Sequence, residues 1–445
     1  MTQTIITILP FEKAIETLRD GKARLQDDGT FFVICSTEYD PDGNVIHDFL
    51  DVISEATALG YTYINTIVYP TKSVQNVAFK DNVRYVVWLC KSYSLMTVKK
   101  DAIREKHIWK DVEWGKRAKN YNPKGKDPGN VWIPTEDDGC ANITDHILLS
   151  DQEVVDRLRA LADCGNNCEI YQETLPVCAS AKFTLASPMT PSAGNCQGRV
   201  VFGTSEKMDS VSDGTVSVAV TSPPYWNLKD YFKQGQIGQE GYDVYLHRMK
   251  TVWTECYKKL SPKGSLWINI NIRVQAGKVI SIPHDFVTMC KEIGFYYKGI
   301  LIWHKSSGIP TSDKNIVDRH EYVLLFTKSN DFCVNQDIQA SFGDYKNPDM
   351  NGGAFWNINR KAGSVGKKYI HPAIYPNELV ERIVQLSTHD GELVIDPFLG
   401  SGTSLIAALQ CHRNFIGYEY NEGFKDLMQS RYDKELPENT TLLYV

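Results

Sequence analysis

From residue 199 onward, short apolar runs alternate along the chain with amphipathic stretches. Apolar runs bounded by turn residues predict strands, and apolar positions three or four residues apart predict helices. The predicted strands are Arg199–Phe202, Val216–Val220, Gly264–Ile270, Tyr297–Trp303, Glu321–Thr327, Leu393–Asp396 and Phe415–Tyr418. The predicted helices are Val244–Leu260, His284–Glu292, Asn377–Ser387 and Thr403–Gln410. This alternation predicts an α/β fold with a mainly parallel twisted sheet.

The first part of the chain repeats several of these segments. In chain order, Leu25–Val33 resembles Leu260–Ile268, Gly60–Tyr69 resembles Gly294–Trp303, Tyr85–Ser92 resembles Tyr322–Ser329, and Tyr121–Trp132 more weakly resembles Tyr345–Trp356. Chance rarely gives such matches in order at nearly one spacing, so we infer an internal duplication. Residues 1–175 are then an incomplete, degenerate copy and residues 199–445 the complete unit. Residues 176–198 are rich in Ala, Ser, Pro and Thr and are predicted to be a linker.

The length and composition exclude several classes of protein. A chain of 445 residues has room for two or three domains, and 42% hydrophobic with 23% charged residues indicates a folded protein. No apolar run approaches the roughly 18 residues of a membrane span, and the N-terminus lacks the features of a signal peptide. The eleven cysteines are scattered through apolar segments, which favours a cytoplasmic protein over a disulfide framework.

The net charge of −6 argues against a protein that binds nucleic acid over its whole surface. The charge is uneven, however, because residues 99–126 carry ten Lys and Arg against four Asp and Glu. A second basic group, Arg360, Lys361, Lys367 and Lys368, has no acidic residue among it. Such runs are often only solvated faces, so their meaning depends on the motifs near them.

One motif follows the predicted strand at Leu393. The sequence Asp-Pro-Phe-Leu-Gly-Ser-Gly-Thr spans Asp396–Thr403 and leads directly into a predicted helix. Glycines at a strand-to-helix turn allow a ligand to approach the backbone and leave the first N–H groups of the helix free to donate. One strand later, Glu419 stands at a strand end, where an acid suits a pair of ribose hydroxyls. This order predicts a cofactor site, and a purely structural tight turn is the alternative.

A second motif, Ser222-Pro-Pro-Tyr225, ends the predicted strand Val216–Val220. Two prolines remove two backbone donors and fix the turn, so carbonyl oxygens there can act as acceptors toward a ligand. Acceptors beside a hydroxyl and an aromatic ring suit a planar amino group. An ordinary proline turn is the alternative.

Together these motifs resemble those of the S-adenosylmethionine-dependent DNA amino-methyltransferases, which carry an [Asp/Ser/Asn]-Pro-Pro-[Tyr/Phe] motif and a Phe-x-Gly-x-Gly motif on a Rossmann-like sheet. The catalytic motif comes first here, as in the permuted β group of that family. The resemblance covers about residues 199–434 and implies S-adenosyl-L-methionine as cofactor and double-stranded DNA as partner. It also implies a bacterial, archaeal or phage-encoded cytoplasmic protein, with a restriction endonuclease as a candidate partner.

The resemblance also assigns candidate residues. The implied catalytic residues are Ser222, Pro223, Pro224 and Tyr225, and the implied cofactor contacts are Asp396, Phe398, Gly400, Ser401, Gly402, Thr403, Glu419, His371 and Pro376. The family usually has Gly-Asp-Ser before the catalytic strand, whereas this chain has Gly203-Thr204-Ser205, so Thr204, Asp209 or water would replace that acid. No metal is implied.

The Ser222 hydroxyl and the Pro223 carbonyl are expected to accept hydrogen bonds from an exocyclic amine while Tyr225 stacks on a base flipped from the duplex. Serine at the first motif position favours cytosine N4 as target, because adenine N6 enzymes of the family usually carry Asp there. Adenine N6, an RNA substrate and a non-catalytic DNA-binding module are the alternatives.

The first copy has nothing like the cofactor motif, and Leu9-Pro10-Phe11 stands where Pro-Pro-Tyr would be. We therefore expect a catalytically silent copy that replaces a second subunit, so that the protein can act as a monomer. Each basic patch lies near the Tyr…Trp match of its own copy, and the second falls in the expected target-recognition segment at about 330–370. The expected phosphate contacts are Lys99, Lys100, Lys116, Arg117, Lys119, Arg360, Lys361, Lys367 and Lys368. Cys164, Cys168, Cys178 and Cys196 are spaced too irregularly to favour a zinc site.

Overall fold

The computed structural model describes residues 1–71, 81–105, 124–133, 148–175, 195–227, 234–275, 277–305, 314–345, 351–359, 375–436 and 439–445. We call residues 1–175 the N-terminal half and residues 195–445 the C-terminal half.

The described residues form strands and helices in alternation through both halves. In the N-terminal half these are β1 (Thr2–Ile8), α1 (Phe11–Arg24), β2 (Leu25–Cys35), β3 (Glu38–Tyr39), β4 (Val45–His47), α2 (Phe49–Ala58), β5 (Thr62–Pro70), β6 (Val83–Cys90), α3 (Asp151–Ala162) and β7 (Cys168–Gln172). In the C-terminal half they are β8 (Cys196–Phe202), β9 (Val216–Thr221), α4 (Tyr242–Lys259), β10 (Leu260–Ile270), β11 (Arg273–Gln275), β12 (Lys278–Ile280), α5 (Ile282–Ile293), β13 (Tyr296–His304), β14 (His320–Thr327), α6 (Gln336–Ser341), β15 (Phe355–Asn357), α7 (Asn377–Ser387), β16 (Leu393–Asp396), α8 (Thr403–Gln410), β17 (Asn414–Glu419), α9 (Lys425–Glu435) and β18 (Thr440–Tyr444).

The C-terminal half is built on a nine-stranded sheet in the order β15-β13-β14-β10-β9-β16-β17-β8-β18. All neighbouring strands in it pair in parallel, except that β14 runs antiparallel to both β10 and β13. The expected mainly parallel α/β fold is therefore confirmed. Each strand and helix predicted between residues 199 and 420 is present, with ends shifted by at most four residues.

The N-terminal half holds a five-stranded sheet in the order β5-β6-β2-β1-β7, whose first four strands repeat the order β13-β14-β10-β9. The register is also repeated. Thr30 pairs with Cys90 as Ser265 pairs with Thr327, and the irregularity of pairing after Tyr63 in β5 recurs after Tyr297 in β13. The weak sequence match near Trp132 has a structural counterpart, because Val131 bridges β5 as Phe355 bridges β13.

The two sheets enclose a shared layer of helices. Buried residues of α1, α2, α4 and α5 form one core cluster together with the facing sides of both sheets. The outer face of the N-terminal sheet packs against α3, and the outer face of the C-terminal sheet packs against α7 and α8. The strands are apolar on both sides because both faces of each sheet are covered. The halves therefore share one core.

Three sequence expectations concern the linker, a metal site at the cysteines, and membrane-spanning helices. The last three residues of the predicted linker 176–198 belong to strand β8, which begins at Cys196, and residues 176–194 lie outside the described residues. In the part of the chain that the structure describes, no group of His, Cys, Asp and Glu has the arrangement of a metal site, and Cys178 lies outside that part. Among the same residues, no helix is long and apolar enough to cross a membrane.

Candidate active site

The two motifs of the sequence meet at one edge of the large sheet. Strand β9 ends at Thr221 and leads into the Ser222–Tyr225 turn, and strand β16 ends at Asp396 and leads into the glycine turn. These strands are parallel neighbours, so both turns leave the same edge. Strand β17 lies on the other side of β16 and brings Glu419 to that edge. Ligands of open α/β sheets bind at such an edge, outside the carboxyl ends of the strands.

Asp396 joins the two motifs. Its Oδ1 accepts hydrogen bonds from Thr221 Oγ1 at 2.6 Å and from the Phe398 backbone N–H at 2.9 Å. Its Oδ2 accepts from the hydroxyls of Ser404 and Tyr375. Burial raises the pKa of this carboxyl, and the hydrogen bonds partly oppose that shift. Each oxygen thus has two donors from the chain, and Asp396 holds the catalytic strand against the glycine turn.

The glycine turn has the backbone that its sequence predicts. Gly400 and Gly402 have φ values of 55° and 82°, a conformation that favours glycine, and α8 begins directly afterwards without a side-chain cap. Glu419 is beside this turn, and its two carboxylate oxygens accept from the N–H groups of Gly400 and Asn421, both at 2.7 Å. Burial raises the pKa of Glu419 to about 7. Each oxygen keeps a lone pair for a further donor, such as a ribose hydroxyl.

Two residues that were predicted to contact the cofactor, Ser401 and Thr403, are bound by Arg431. The buried guanidinium of Arg431 donates to the Ser401 carbonyl at 3.1 Å and to Thr403 Oγ1 at 2.9 Å, and it also reaches Ser401 Oγ. These contacts stiffen the start of α8 from behind. Arg431 has no local sequence signal, because it comes from α9, about 30 residues later. Phe398 is half-buried, Pro376 caps α7 from a buried position, and His371 lies outside the described residues.

The unusual Gly203-Thr204-Ser205 segment follows β8, whose end pairs with Glu419. Thr204 is exposed, and its hydroxyl donates to Glu206 Oε2 at 2.9 Å. Arg248 holds the same carboxylate at 2.6 Å. Asp209, the other acid considered, is exposed and paired with Lys207. Glu206 is thus an acid near this strand end that the motif comparison overlooked.

The Ser222–Tyr225 turn is fixed by surrounding elements. Tyr245 of α4 donates its hydroxyl to the Pro224 carbonyl at 2.8 Å, and Trp226 Nε1 donates to the Glu240 carbonyl at 2.7 Å. Arg273 of β11 donates to the carbonyls of Trp226 and Asn227. These bonds occupy the carbonyls of Pro224, Trp226 and Asn227 and leave the Pro223 carbonyl out. The predicted catalytic residues therefore lie together on a braced turn.

Behind this turn is a polar network that local motifs did not reveal. Asn269 Nδ2 lies 2.9 Å from Glu321 Oε2, 3.3 Å from the Tyr225 hydroxyl and 3.5 Å from Ser222 Oγ. Tyr225 donates to Glu321 at 3.0 Å, and Lys305 pairs with the other Glu321 oxygen at 3.0 Å. Burial alone would raise the pKa of Glu321, but Lys305 and these hydrogen bonds lower it below its ordinary value.

Comparison with known proteins gives the family. The profile of a family described as DNA methylase matches residues 216–430. The type II methyltransferase M.Cfr9I of Citrobacter freundii is 30% identical over 258 residues, which are 50% of this chain and 83% of that protein. The chain belongs to the S-adenosylmethionine-dependent DNA amino-methyltransferases.

Other members of the family and one solved structure are similar to this methyltransferase. M.XycI of Xanthomonas campestris pv. cyanopsidis is 30% identical over 256 residues, or 49% of this chain and 81% of that protein. A putative DNA modification methylase of Thermus thermophilus, solved in complex with S-adenosyl-L-methionine, is 26% identical, with coverage of 56% of this chain and 98% of that one and a TM-score of 0.42.

The residues at the sheet edge fit S-adenosylmethionine, the cofactor of this family. The buried Glu419 carboxylate, with spare lone pairs, suits two ribose hydroxyls, and the uncapped start of α8 offers backbone donors. When bound, the cofactor supplies a methyl group on a positively charged sulfur. The position of Thr204, which engages Glu206, shows that a bonded Thr–Glu–Arg group stands where the family usually has a single acid.

Of the nine predicted phosphate contacts, the structure describes two, Lys99 and Lys100. Lys100 is a buried residue, which disfavours the expected phosphate contact. Lys99 is exposed but pairs with Asp163 at 2.9 Å, and Arg104 pairs with Asp101 and Asp127. The remaining candidates, Lys116, Arg117, Lys119, Arg360, Lys361, Lys367 and Lys368, lie outside the described residues. Part of the segment at about 330–370 that is expected to recognise the target belongs to the sheet, because β15 pairs with β13.

Proposed function

We propose that this methyltransferase transfers a methyl group to the exocyclic N4 amino group of a cytosine flipped out of double-stranded DNA. The observation that carries the choice of base is the neutral Ser222 at the head of the Ser-Pro-Pro-Tyr turn. The enclosed geometry supports a neutral residue there, because Asn269 joins Ser222 to the anionic Glu321 through a single amide group. A second carboxylate at position 222 would stand close to that anion, at a cost.

The chain's residues would act by binding and alignment. Ser222 Oγ and the Pro223 carbonyl accept hydrogen bonds from the two amino protons, which favours a nitrogen with an available lone pair. Tyr225 stacks on the flipped base. The Thr221–Asp396 hydrogen bond sets the distance between the base and the cofactor turn. Alignment of this kind is worth up to about 7–11 kcal/mol in favourable intramolecular systems. The new N–C bond would form as the methyl–sulfur bond breaks, the sulfur would leave as a neutral thioether, and the amine would release one proton to solvent.

The test is nucleoside analysis of unmethylated duplex DNA treated with the purified enzyme and methyl-labelled S-adenosylmethionine. We expect label in N4-methylcytosine. Label in N6-methyladenine would overturn the choice of base and keep the family activity, and label transferred only to RNA would overturn the choice of nucleic acid. The Ser222→Ala variant is the control, because it should bind cofactor but transfer label at least tenfold more slowly.

We further propose that the N-terminal half serves as a built-in second subunit and leaves the protein monomeric. Cross-half contacts support this role: Phe49 of α2 lies between Tyr85 of its own half and Tyr322 of the other. Tyr297 donates to the buried Asp48 at 2.7 Å. An apolar helix layer that one half would expose is covered by the other half. Light scattering should then give a mass near 50.3 kDa for the active species, and a dimer of twice that mass would contradict the proposal.

Type II methyltransferase relatives point to a restriction–modification system, or self-protection of a phage, as the context, with a cognate endonuclease as partner. We propose phosphate contacts from the exposed Lys99 and from the basic residues at 116–119 and 360–368. Such contacts predict DNA affinity that falls steeply with salt. Affinity that is independent of salt concentration would remove these residues from the DNA interface.

A further inference from the structure

Glu321 contacts Tyr225 of the Ser222–Tyr225 turn and lies two residues after Arg319, which the N-terminal half binds. It is the second residue of β14, the one strand that runs antiparallel to its neighbours in the large sheet as the structure describes it. Its side chain is 20% exposed, and that of its partner Lys305 is 9% exposed. A buried ion pair of this kind is retained at a cost in desolvation, so its hydrogen-bond partners indicate what it is for.

Those partners are the groups expected to hold the target base. Tyr225 donates its hydroxyl to Glu321, which fixes the tilt of the ring on which the base would stack. Asn269 turns its NH₂ group toward the same carboxylate oxygen. The amide oxygen is thereby fixed on the opposite side, where it is buried and has no hydrogen-bond partner among the described residues. A buried acceptor left without a donor is costly, and because this oxygen belongs to a side chain that also contacts Ser222 and Tyr225, a donor on the target base would satisfy it.

The N-terminal half holds the chain that leads into β14. Val317 donates its N–H to the Pro128 carbonyl and accepts from the Asn130 N–H, both at 2.9 Å. Asn130 Oδ1 accepts from the Arg319 N–H at 2.8 Å, two residues before Glu321. The Arg319 guanidinium binds Glu105 at 2.9 Å and the Asp127 carbonyl at 2.8 Å. A Cβ on Gly129 would lie 2.6 Å from Arg319, so these segments are in close contact.

We propose that Glu321 is a positioning residue for the target base, and that the N-terminal half sets its position by clamping residues 314–319. Glu321 acts through Tyr225 and Asn269, which line the base pocket together with Ser222. A catalytically silent half would in this way be required for fast methylation. The proposal rests on DNA amino-methyl transfer, and it holds for either target base.

The first experiment separates positioning from structural support. Glu321→Gln is expected to lower kcat about 10–100-fold, since hydrogen bonds to a charged group are lost, while the Kd for S-adenosylmethionine changes less than about threefold. Tyr225→Phe should lower kcat as well, and the two losses should be less than multiplicative in the double variant because they remove one shared interaction. If Glu321→Gln folds poorly, Lys305→Met/Glu321→Gln avoids an unpaired buried lysine and should show the same kcat loss.

The matched control is Asp390→Asn, which breaks the Arg413–Asp390 pair in the same half, with side chains 10% and 22% exposed. That pair lies at the opposite edge of the sheet, before β16. The Asp390→Asn substitution should lower Tm without a selective loss of kcat. If Glu321→Gln keeps wild-type kcat, or if Asp390→Asn loses kcat equally, the positioning role is wrong. Wild-type activity and cofactor binding verify the family function independently.

The second experiment tests the clamp. Asn130→Ala removes contacts to Arg319 and Asp318 without touching the base pocket and should lower kcat several-fold. In the double variant with Glu321→Gln, the Asn130→Ala substitution should lower kcat only a little further. Asn44→Ala is the matched control, because Asn44 accepts from Lys298 across the halves at 2.7 Å but far from residues 314–319. Equal kcat in Asn130→Ala and wild type, or equal losses in both alanine variants, would overturn the clamp.

Discussion

The two sheets of this methyltransferase have the same backbone plan and different chemistry. Strands β1, β2, β6 and β5 repeat the order, direction and register of β9, β10, β14 and β13. By that register Ile8 and Leu9 occupy the places of Ser222 and Pro223, and Ile170 of β7 occupies the place of Asp396. In the N-terminal half α1 begins directly after Pro10, whereas α4 begins only at Tyr242. The sheet therefore does not need the catalytic turn in order to fold.

The chemical difference between the two sheets can be seen at one pair of matching residues, Thr7 and Thr221. Thr7 and Thr221 occupy matching places at the ends of β1 and β9. The Thr221 hydroxyl donates to Asp396 at 2.6 Å, whereas the Thr7 hydroxyl is buried and has no partner in the described part of the chain. The N-terminal half thus has a donor at this place without the acceptor that the C-terminal half provides.

The largest effect is expected at Glu419, which has no counterpart in the described N-terminal half. Glu419→Gln should weaken binding of S-adenosylmethionine about 100-fold, because hydrogen bonds between a charged carboxylate and two hydroxyls are lost. Since the pKa of Glu419 is raised to about 7, binding to the wild type should tighten as pH rises through that value. Calorimetric titration from about pH 5.5 to about 8.5 measures both. Unchanged affinity in the variant would remove Glu419 from the cofactor site.

The raised pKa of Glu419 also makes the stability of the folded protein depend on pH. A carboxyl with a folded-state pKa raised from 4.5 to about 7 contributes stability that is present below pH 4.5 and is lost as pH rises through about 7. The apo wild type should therefore lose stability across this range relative to Glu419→Gln. Parallel pH dependence of the two proteins in thermal unfolding would contradict the assignment.

The next effect in size concerns the matched threonines. Thr221→Val should lower kcat about tenfold or more, because it removes a hydrogen bond to a buried carboxylate that aligns the two motifs. Steady-state kinetics with saturating cofactor measures the loss. Thr7→Val is the control and should leave kcat unchanged. If both variants lose activity equally, the Thr221–Asp396 bond has no particular role in alignment.

Thr7→Val should also stabilise the protein by about 1 kcal/mol, because a buried hydroxyl without a partner is costly and valine has nearly the same shape. Chemical denaturation measures this change. A loss of stability in Thr7→Val would show that the hydroxyl has a partner in the folded protein, and the comparison with Thr221 would then fail.

The smallest effect is expected at the boundary between the halves. His284 of α5 lies 3.5 Å from Asp51 of α2, and the hydrogen bond to that carboxylate raises the pKa of His284. A raised histidine pKa contributes stability that is present at low pH and is lost as pH rises above the folded-state value. His284→Gln should thus lower Tm slightly at about pH 6 and less at about pH 9. Both groups are partly exposed, so the change is under about 1 kcal/mol.

The sequence alone predicted most of the C-terminal sheet and both motifs. Strands such as Val216–Thr221 and Asn414–Glu419 are short apolar runs bounded by turn residues, and the glycine turn allows few backbone conformations. It did not predict the network at Tyr225, because Asn269 and Glu321 are 44 and 96 residues away along the chain. It also assigned Lys100 to the surface, although the fold buries it.

What the sequence determined by itself is local: which segments are strands and where the turns fall. Hydrophobic periodicity and turn chemistry act over a few residues and can be read directly. The tertiary structure decided which distant side chains meet. It placed Asp396 against Thr221, Arg431 behind the glycine turn, and Glu321 against Tyr225 of the Ser222–Tyr225 turn. Such contacts depend on strand order and packing, which no local pattern specifies.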